Sequence, residues 1–180
     1  MNPPITSATW IATALEQHEA ALLRFATRLV RDPDRARDVV QETFLQLCSQ
    51  ERSAVEGHLV AWLYRVCRNR AFDLRRKESR VESIQPDAPA HVVVDPVDPS
   101  MLAQRREHTA QVMGVLETLP ESQREVVYLR FADGLSYKQI AEVTGHSVNH
   151  VGVMLHTAVK KVRGLMTETL PAIRNAEVSR

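Results

Sequence analysis

The sequence predicts an all-α protein of two small helical domains joined by a flexible linker, with a helix-turn-helix in the second domain. Apolar residues recur at helical spacing through most of the chain, and no segment shows the alternation of a half-buried strand. Residues 81–100 break this pattern with four prolines and three aspartates. At 180 residues and 44% hydrophobic content, the chain can fill a core in each domain.

The predicted organisation has four parts along the chain. The first domain covers residues 1–80, the linker 81–104, the second domain 105–170 and a short tail 171–180. The composition of the linker is that of a soluble tether between two folded units.

A helix-start signal divides the first two helices of the N-terminal domain. Asp32 is expected to cap the second helix, and Pro33 fits its first turn. The residues that form the inward stripe of this helix are Ala36, Val39, Val40, Thr43, Phe44 and Leu47. The residues off that stripe are Asp38, Gln41, Glu42 and Leu45. Without further information, this outer side is an ordinary solvated face.

The stretch WLYRVCRNRAFDLRRK, residues 62–77, combines an apolar stripe with many arginines, either in one helix or in two with a break. The residues expected on its outer face, at i, i+4, i+8 and i+11, are Tyr64, Arg68, Phe72 and Arg75. Cations follow phosphates and aromatic rings stack on unpaired bases, so this face suits single-stranded nucleic acid. A solvated arginine face with both aromatic rings in the core is an equally good interpretation. The Trp62 indole is expected in the core.

The C-terminal domain contains the signals of a helix-turn-helix. Ser136 and Gln139 match a capping box, Gly145 follows a short helix, and a longer helix begins at Ser147. The residues expected on the solvent side of that longer helix are Asn149, Gly152, His156, Lys160 and Arg163. The simpler alternative is an ordinary helical hairpin.

The net charge of +1 hides a strong variation along the chain. Residues 61–80 carry a net charge of +5, residues 81–123 carry −5, and residues 124–180 carry +3. An autonomous DNA-binding protein is usually basic overall, so a pI near 7.9 is low for one. If the chain meets nucleic acid, another molecule is expected to help hold it there.

Several classes of function are not supported by the sequence. Cys48 and Cys67 are both in apolar helical context, which favours buried thiols and a reducing, cytoplasmic compartment. No targeting segment and no apolar run of membrane-spanning length are present, so membrane insertion is not expected. His146, His150 and His156 lack the cysteine or carboxylate partners of a metal site. No cofactor-binding motif or catalytic group is evident.

Four motifs resemble those of bacterial sigma factors, in the same order. They are DVVQETFLQL, AWLYRVCRNRAFDLRRK, LPESQREVVYLRFADGLSYKQIAE and the final helix. The chain is similar to the compact extracytoplasmic-function (ECF) sigma factors of the sigma-70 superfamily, over residues 10–77 and 105–166. This resemblance implies a protein that is not itself an enzyme, and that binds core RNA polymerase, directs it to promoters and opens the DNA. Many members of the family are restrained by an anti-sigma factor, and whether this chain has one is left open.

The resemblance also assigns roles to residues. The residues implied in docking on the polymerase are Asp38, Gln41, Glu42 and Leu45. Those implied in recognising and melting the minus-ten element are Tyr64, Arg68, Asn69, Arg70, Phe72, Arg75 and Arg76. Asn69 matches an asparagine of a loop that captures a base flipped from the nontemplate strand. The resemblance implies that the linker enters the active-centre cleft of the polymerase, and a plain tether is an equally good interpretation.

The second domain is implied to read the duplex minus-thirty-five element from the major groove. The residues expected to contact it are Lys138, Asn149, His150, Gly152, Val153, His156, Lys160, Lys161 and Arg163. The sequence departs from the family here, because Gly152, Met154, Thr157 and Val159 stand where Arg or Lys is usual. About three phosphate contacts would give a logarithmic salt slope of roughly −3, a modest grip.

Two alternatives belong to other classes. A freestanding transcriptional regulator would explain the helix-turn-helix, but it leaves the cationic face of the first domain without a role. A helical adaptor that binds only protein predicts that neutralising Arg68 or Arg75 has no effect on binding.

Overall fold

The computed structural model describes residues 5–79 and 112–177, and within them the side chains of residues 9–78 and 112–165. The chain divides into two compact units. The described residues are helical with short connections, as the sequence predicts, and no strand occurs among them. The predicted linker, residues 81–104, lies outside the described residues, so its bounds and role stay a prediction.

The first unit is a small bundle. Its helices are α1 (Ile5–Val30), α2 (Pro33–Cys48), the single turn α3 (Arg52–Val55) with the 3-10 turn Glu56–His58, and α4 (Leu59–Ser79). α1, α2 and α4 pack against one another. Their largest fully buried side chains include Leu22, Phe25, Leu47 and Leu63. The packing of these three helices holds the outer faces of α2 and α4 in place.

The start of α2 follows from its sequence. Asp32 is extended and its Oδ1 accepts hydrogen bonds from the amides of Asp34 at 2.8 Å and Arg35 at 3.1 Å, so two otherwise unpaired donors are satisfied. Pro33 is the first helical residue, where a missing amide hydrogen costs nothing. The buried residues of α2 are the predicted six: Ala36, Val39, Val40, Thr43, Phe44 and Leu47. The inward stripe is therefore confirmed.

The second unit begins in the described chain with a helical segment, α5, at residues 112–117. It continues with α6 (Glu121–Phe131), the start of α7 (Tyr137–Thr144), whose residues from Ala141 on group with the first unit, and α8 (Val148–Glu177). α8 runs beyond the predicted domain end at residue 170. α6 packs on α8, and the residues of these two helices that are fully or almost fully buried are Val126, Leu129, Val151, Leu155 and Ala158.

The local geometry of a helix-turn-helix is present in α7 and α8. The Ser136 amide donates to Gln139 Oε1 at 2.8 Å and the Gln139 amide donates to Ser136 Oγ at 3.2 Å, which confirms the capping box. Gly145 follows α7 with φ of +76°, a conformation that other residues adopt at a cost. Ser147 Oγ then accepts from the His150 amide at 3.2 Å at the start of α8.

Candidate protein and nucleic-acid interfaces

The outer side of α2 is exposed as predicted. The exposed residues there are Asp38, Gln41, Glu42 and Leu45. Leu45 is 61% exposed and lies beside charged neighbours. Because the opposite stripe of the same helix is buried, these four side chains point away from the core of the first unit. A short acidic and amide face with one apolar side chain has the composition of a small protein-binding surface.

α4 is one continuous helix from Leu59 to Ser79, and its burial changes along its length. Four consecutive residues near its start, Ala61 to Tyr64, are buried, so this part is enclosed on all sides. Farther along, Cys67 and Ala71 face the core, whereas Asn69 is exposed. The helix is therefore enclosed near its start, and farther along one side of it still faces the core while residues such as Asn69 and Arg75 are exposed.

The structure corrects the predicted position of Tyr64. This residue is 3% exposed, and its ring centroid lies 5.0 Å from that of Phe25 in α1. The expectation that Tyr64 lies on the outer face is wrong, because α1 covers that side of α4 at this level. Trp62 is buried at 8% exposure, so its predicted core position is confirmed. Asn69 lies within the helix, and the implied loop at this position is also wrong.

Beyond the enclosed segment at residues 61–64, α4 carries a cation–π cluster. The guanidinium carbon of Arg68 lies 4.5 Å from the centroid of the Phe72 ring, and that of Arg75 lies 5.9 Å from it. Phe72 is half-buried, so it is neither a free stacking platform nor a core residue. Its ring instead holds two guanidinium groups beside the exposed Asn69 amide, and this arrangement leaves cations and a base-pairing group on one side of the domain.

Ion pairs connect α2 and α4 within the part of the chain that the structure describes. Arg35 Nη1 lies 2.5 Å from Glu78 Oε2, and Arg70 Nε lies 3.5 Å from Glu42 Oε2. The second pair joins a residue assigned to polymerase docking with one assigned to minus-ten DNA, so the two implied sites meet at this point. Sequence reasoning missed both pairs, since nothing in helical spacing relates residues that lie 28 or more positions apart. Arg76 is held within α4 by Asp73, with Nη2 and Oδ1 2.5 Å apart.

From Val148 to Leu165, α8 presents an exposed stripe and a buried side. Asn149, Val153, His156 and Lys160 are all exposed and recur at i, i+4, i+7 and i+11. His150 and Arg163 are exposed beside this stripe, and Lys138 is exposed in α7. Met154 is 6% exposed, so its side chain serves the core and does not replace a cation at the surface. The His150 ring has an edge contact with that of His146, with centroids 4.9 Å apart.

Two of the residues of α8 that were predicted to contact DNA, Gly152 and Lys161, lie against other residues of the same unit. A Cβ added at Gly152 would lie 3.8 Å from Cε2 of Tyr137, so this glycine faces the start of α7. Tyr137 is 42% exposed, and the Arg130 guanidinium carbon lies 5.5 Å from its ring centroid. The sequence assigned no DNA role to Tyr137. Lys161 donates from Nζ to the Thr118 carbonyl at 2.9 Å, which occupies this ammonium group in part.

The described residues contain no cluster of three or more metal-ligating His, Cys, Asp or Glu side chains. Among the same residues, no helix is both long and apolar enough to span a membrane.

Cys48 is exposed and Cys67 is buried, so the expectation of two buried thiols is correct only for Cys67. Burial lowers the pKa of His18, a half-buried residue of α1.

An all-helical bundle with an exposed cationic helix, followed by a helix-turn-helix, defines a two-part nucleic-acid-binding protein. Two family models match it: "Sigma-70 region 2" over residues 14–81 and "Sigma-70, region 4" over residues 109–162. The RNA polymerase sigma factor SigV of Bacillus subtilis is 25% identical over 172 residues, which cover 93% of this chain and 98% of SigV. The ECF RNA polymerase sigma factor EcfG of Rhodopseudomonas palustris is 30% identical over 148 residues, with 81% and 79% covered.

A solved structure agrees with this assignment at the level of the fold. It contains the sigma factor RpoE of Bartonella quintana in complex with the anti-sigma factor NepR. The two chains are 24% identical, with a TM-score of 0.63 and coverage of 87% of this chain and 96% of that one. The chain belongs to the ECF sigma factors of the sigma-70 family, the class of transcription initiation factors that serve RNA polymerase.

Proposed function

We propose that the two units divide promoter recognition between them. The first unit docks on core RNA polymerase and holds the melted nontemplate strand of the minus-ten element, and the second binds the duplex minus-thirty-five element. The observation that carries this proposal is α4, which is enclosed in the bundle at residues 61–64 and farther along carries the half-buried Arg68 and the exposed Asn69 and Arg75. A helix of this kind is built to hold nucleic acid against a rigid domain.

The docking surface of this proposal is the outer side of α2. Leu45 supplies an apolar anchor, and Asp38 and Gln41 supply polar groups around it. Apolar anchors within a polar rim are the usual composition of a protein interface. Glu42 has a second role, since its carboxylate also holds Arg70 of α4.

In the minus-ten element, Asn69 is the proposed base-reading group. An exposed amide can donate to and accept from a base edge, and extracting the base from its stack costs a few kcal/mol. Phe72 takes a role other than stacking, because Arg68 already covers its ring at 4.5 Å. It orients Arg68 and Arg75 so that their charges offset the cost of strand separation.

In the minus-thirty-five element, the exposed stripe of α8 is the proposed reading face. Lys160 and Arg163 contact phosphates near its end, and Lys138 does so from α7. Three such contacts correspond to a logarithmic salt slope of about −3, which is modest for a DNA-binding domain. Tyr137 joins this surface because its ring lies against Gly152 of α8. The polymerase supplies the remaining affinity.

The chain contributes binding groups, and the polymerase performs the chemistry of RNA synthesis. Such a factor works where the polymerase is, so we place it in the cytoplasm. An anti-sigma factor is a proposed partner, in keeping with the Bartonella RpoE structure, which contains NepR.

The test is run-off transcription with the purified chain and core polymerase on a pool of genomic fragments. Discrete transcripts that require the chain are expected, and permanganate should detect unpaired thymines at each start site. Asn69→Ala should keep polymerase binding and lose most of the permanganate signal. Asn149→Ala, a matched change on α8, should weaken promoter binding without altering the melting of the complexes that form.

Two results would contradict the proposal. No transcripts, together with tight duplex binding by the chain alone, would favour a freestanding regulator. Permanganate footprints of the Asn69→Ala protein as strong as those of the unchanged protein would remove the base-reading role of Asn69.

A further inference from the structure

The exposed stripe of α8 contains one side chain that packing does not explain. Val153 is 62% exposed, between Asn149 one turn before it and His156 one turn after it. A single exposed valine is ordinary on a protein surface. This one lies in a polar stripe with Asn149, His156 and Lys160, on the second helix of a helix-turn-helix. Its position makes it part of the surface that meets DNA.

The packing of α8 fixes which side of the helix faces outward. Val151, Leu155 and Ala158 are buried, and Gly152 faces the ring of Tyr137. Val153 is the residue next to Gly152, and the helix turns its side chain away from this packed side. If α8 rotated about its axis to bury Val153, the Asn149 amide or the Lys160 ammonium would be buried with it. Val153 therefore stays at the surface.

The chemistry of the stripe specifies the kind of base pair it can read. Thymine is the base that presents a methyl group in the major groove, and apolar side chains recognise it by contact. Asparagine pairs with both hydrogen-bonding groups of adenine in that groove. Val153 and Asn149 lie one turn apart on one face and would reach neighbouring base pairs.

Resting on the proposed function, we infer that Val153 reads the methyl group of a thymine in the upstream promoter element, with Asn149 reading an adjacent adenine. The recognition helix thus uses apolar contact and an amide where it lacks the cations usual in the family. A duplex is favoured over a protein partner because Lys160 continues the same face and Arg163 lies exposed beside it. Both can contact phosphates.

The test replaces thymine by uracil, which removes only the methyl group. A duplex promoter is first selected from random sequence by binding to the holoenzyme made with the full chain. Each thymine of its upstream element is then replaced by uracil, one at a time, and the dissociation constant is measured. One position is expected to lose about fourfold in affinity, the value of one buried methyl group.

Variants connect that loss to Val153. Val153→Ala should bind thymine and uracil duplexes equally, because its side chain stops at Cβ and no longer reaches the methyl group. Val148→Ala, a change at another exposed valine of α8 that is 46% exposed and lies off the stripe, should keep the fourfold difference. Both valines are exposed, so neither variant is expected to alter the fold, and circular dichroism checks this.

Several outcomes would overturn the inference. Tolerance of uracil at every position would remove the methyl contact, and so would a loss that Val153→Ala retains. Binding of every duplex unchanged by Val153→Ala would assign this residue to a protein surface. A holoenzyme that selects no sequence at all would instead refute the proposed function, and the two failures are thereby distinguished.

Discussion

Leu45 offers the sharpest test of the docking surface. Its side chain is 61% exposed in the free chain, and complete burial of a leucine is worth about 1.5–3 kcal/mol. Docking that covers the exposed part would therefore contribute about 1–2 kcal/mol, a factor of roughly 5 to 30 in the dissociation constant. Leu45→Glu removes this contribution and adds a charge that must be desolvated, so the affinity for core polymerase should fall by at least that factor.

The assay is a titration of labelled chain with core polymerase, followed by fluorescence anisotropy. Leu15→Glu is the matched control, because Leu15 is also an exposed leucine, at 38%, but belongs to α1 and not to the proposed docking surface on α2. Both tryptophans, Trp10 and Trp62, belong to the first unit, so their fluorescence during thermal unfolding shows whether it remains folded. A dissociation constant within twofold of the unchanged chain, or equal weakening by both variants, would refute the reasoning.

Two further predictions concern stability. Glu42→Gln and Arg70→Gln should show a coupling below about 1 kcal/mol in a double-mutant cycle of urea unfolding, because their side chains are 57% and 41% exposed. A coupling above about 2 kcal/mol would show that the pair is desolvated. Burial lowers the pKa of His18 below its ordinary value of 6.5, so the unfolded chain binds more protons there and stability falls as pH drops through 6.5. His18→Gln should reduce the loss of stability between pH 7.5 and 5, whereas an unchanged loss would contradict this assignment.

Features that depend on neighbours in sequence could be predicted from the sequence. The Asp32 cap, the capping box of Ser136 and Gln139, and all six buried residues of α2 depend on positions a few residues apart. Such hydrogen bonds and apolar stripes are determined by residues a few positions apart, so they do not depend on how distant parts of the chain pack. The exposure of Leu45 follows from the same periodicity.

Tyr64 shows where this reasoning stops. A stripe argument assumes that the buried arc has the same width along the whole helix. In α4 all four consecutive residues from Ala61 to Tyr64 are buried, so every side of the helix is covered there. Farther along, only the side with Cys67 and Ala71 is buried. The ring of Phe25, in a helix more than 30 positions earlier, closes the side on which Tyr64 lies. No feature near Tyr64 in sequence could show this.

The ion pairs of α4 show how the low net charge of the chain is distributed, because arginines of its basic segment lie beside carboxylates. Arg70 and Arg76 belong to the most basic segment, yet each has a carboxylate beside it, in Glu42 and Asp73. A cation with a carboxylate neighbour contributes less to the attraction of phosphates, because DNA must compete for it. If this surface holds DNA as proposed, it should bind weakly by itself and depend on a partner to bring the strand close. This is the behaviour that a promoter-recognition subunit requires, since the chain alone should not occupy DNA before the polymerase arrives.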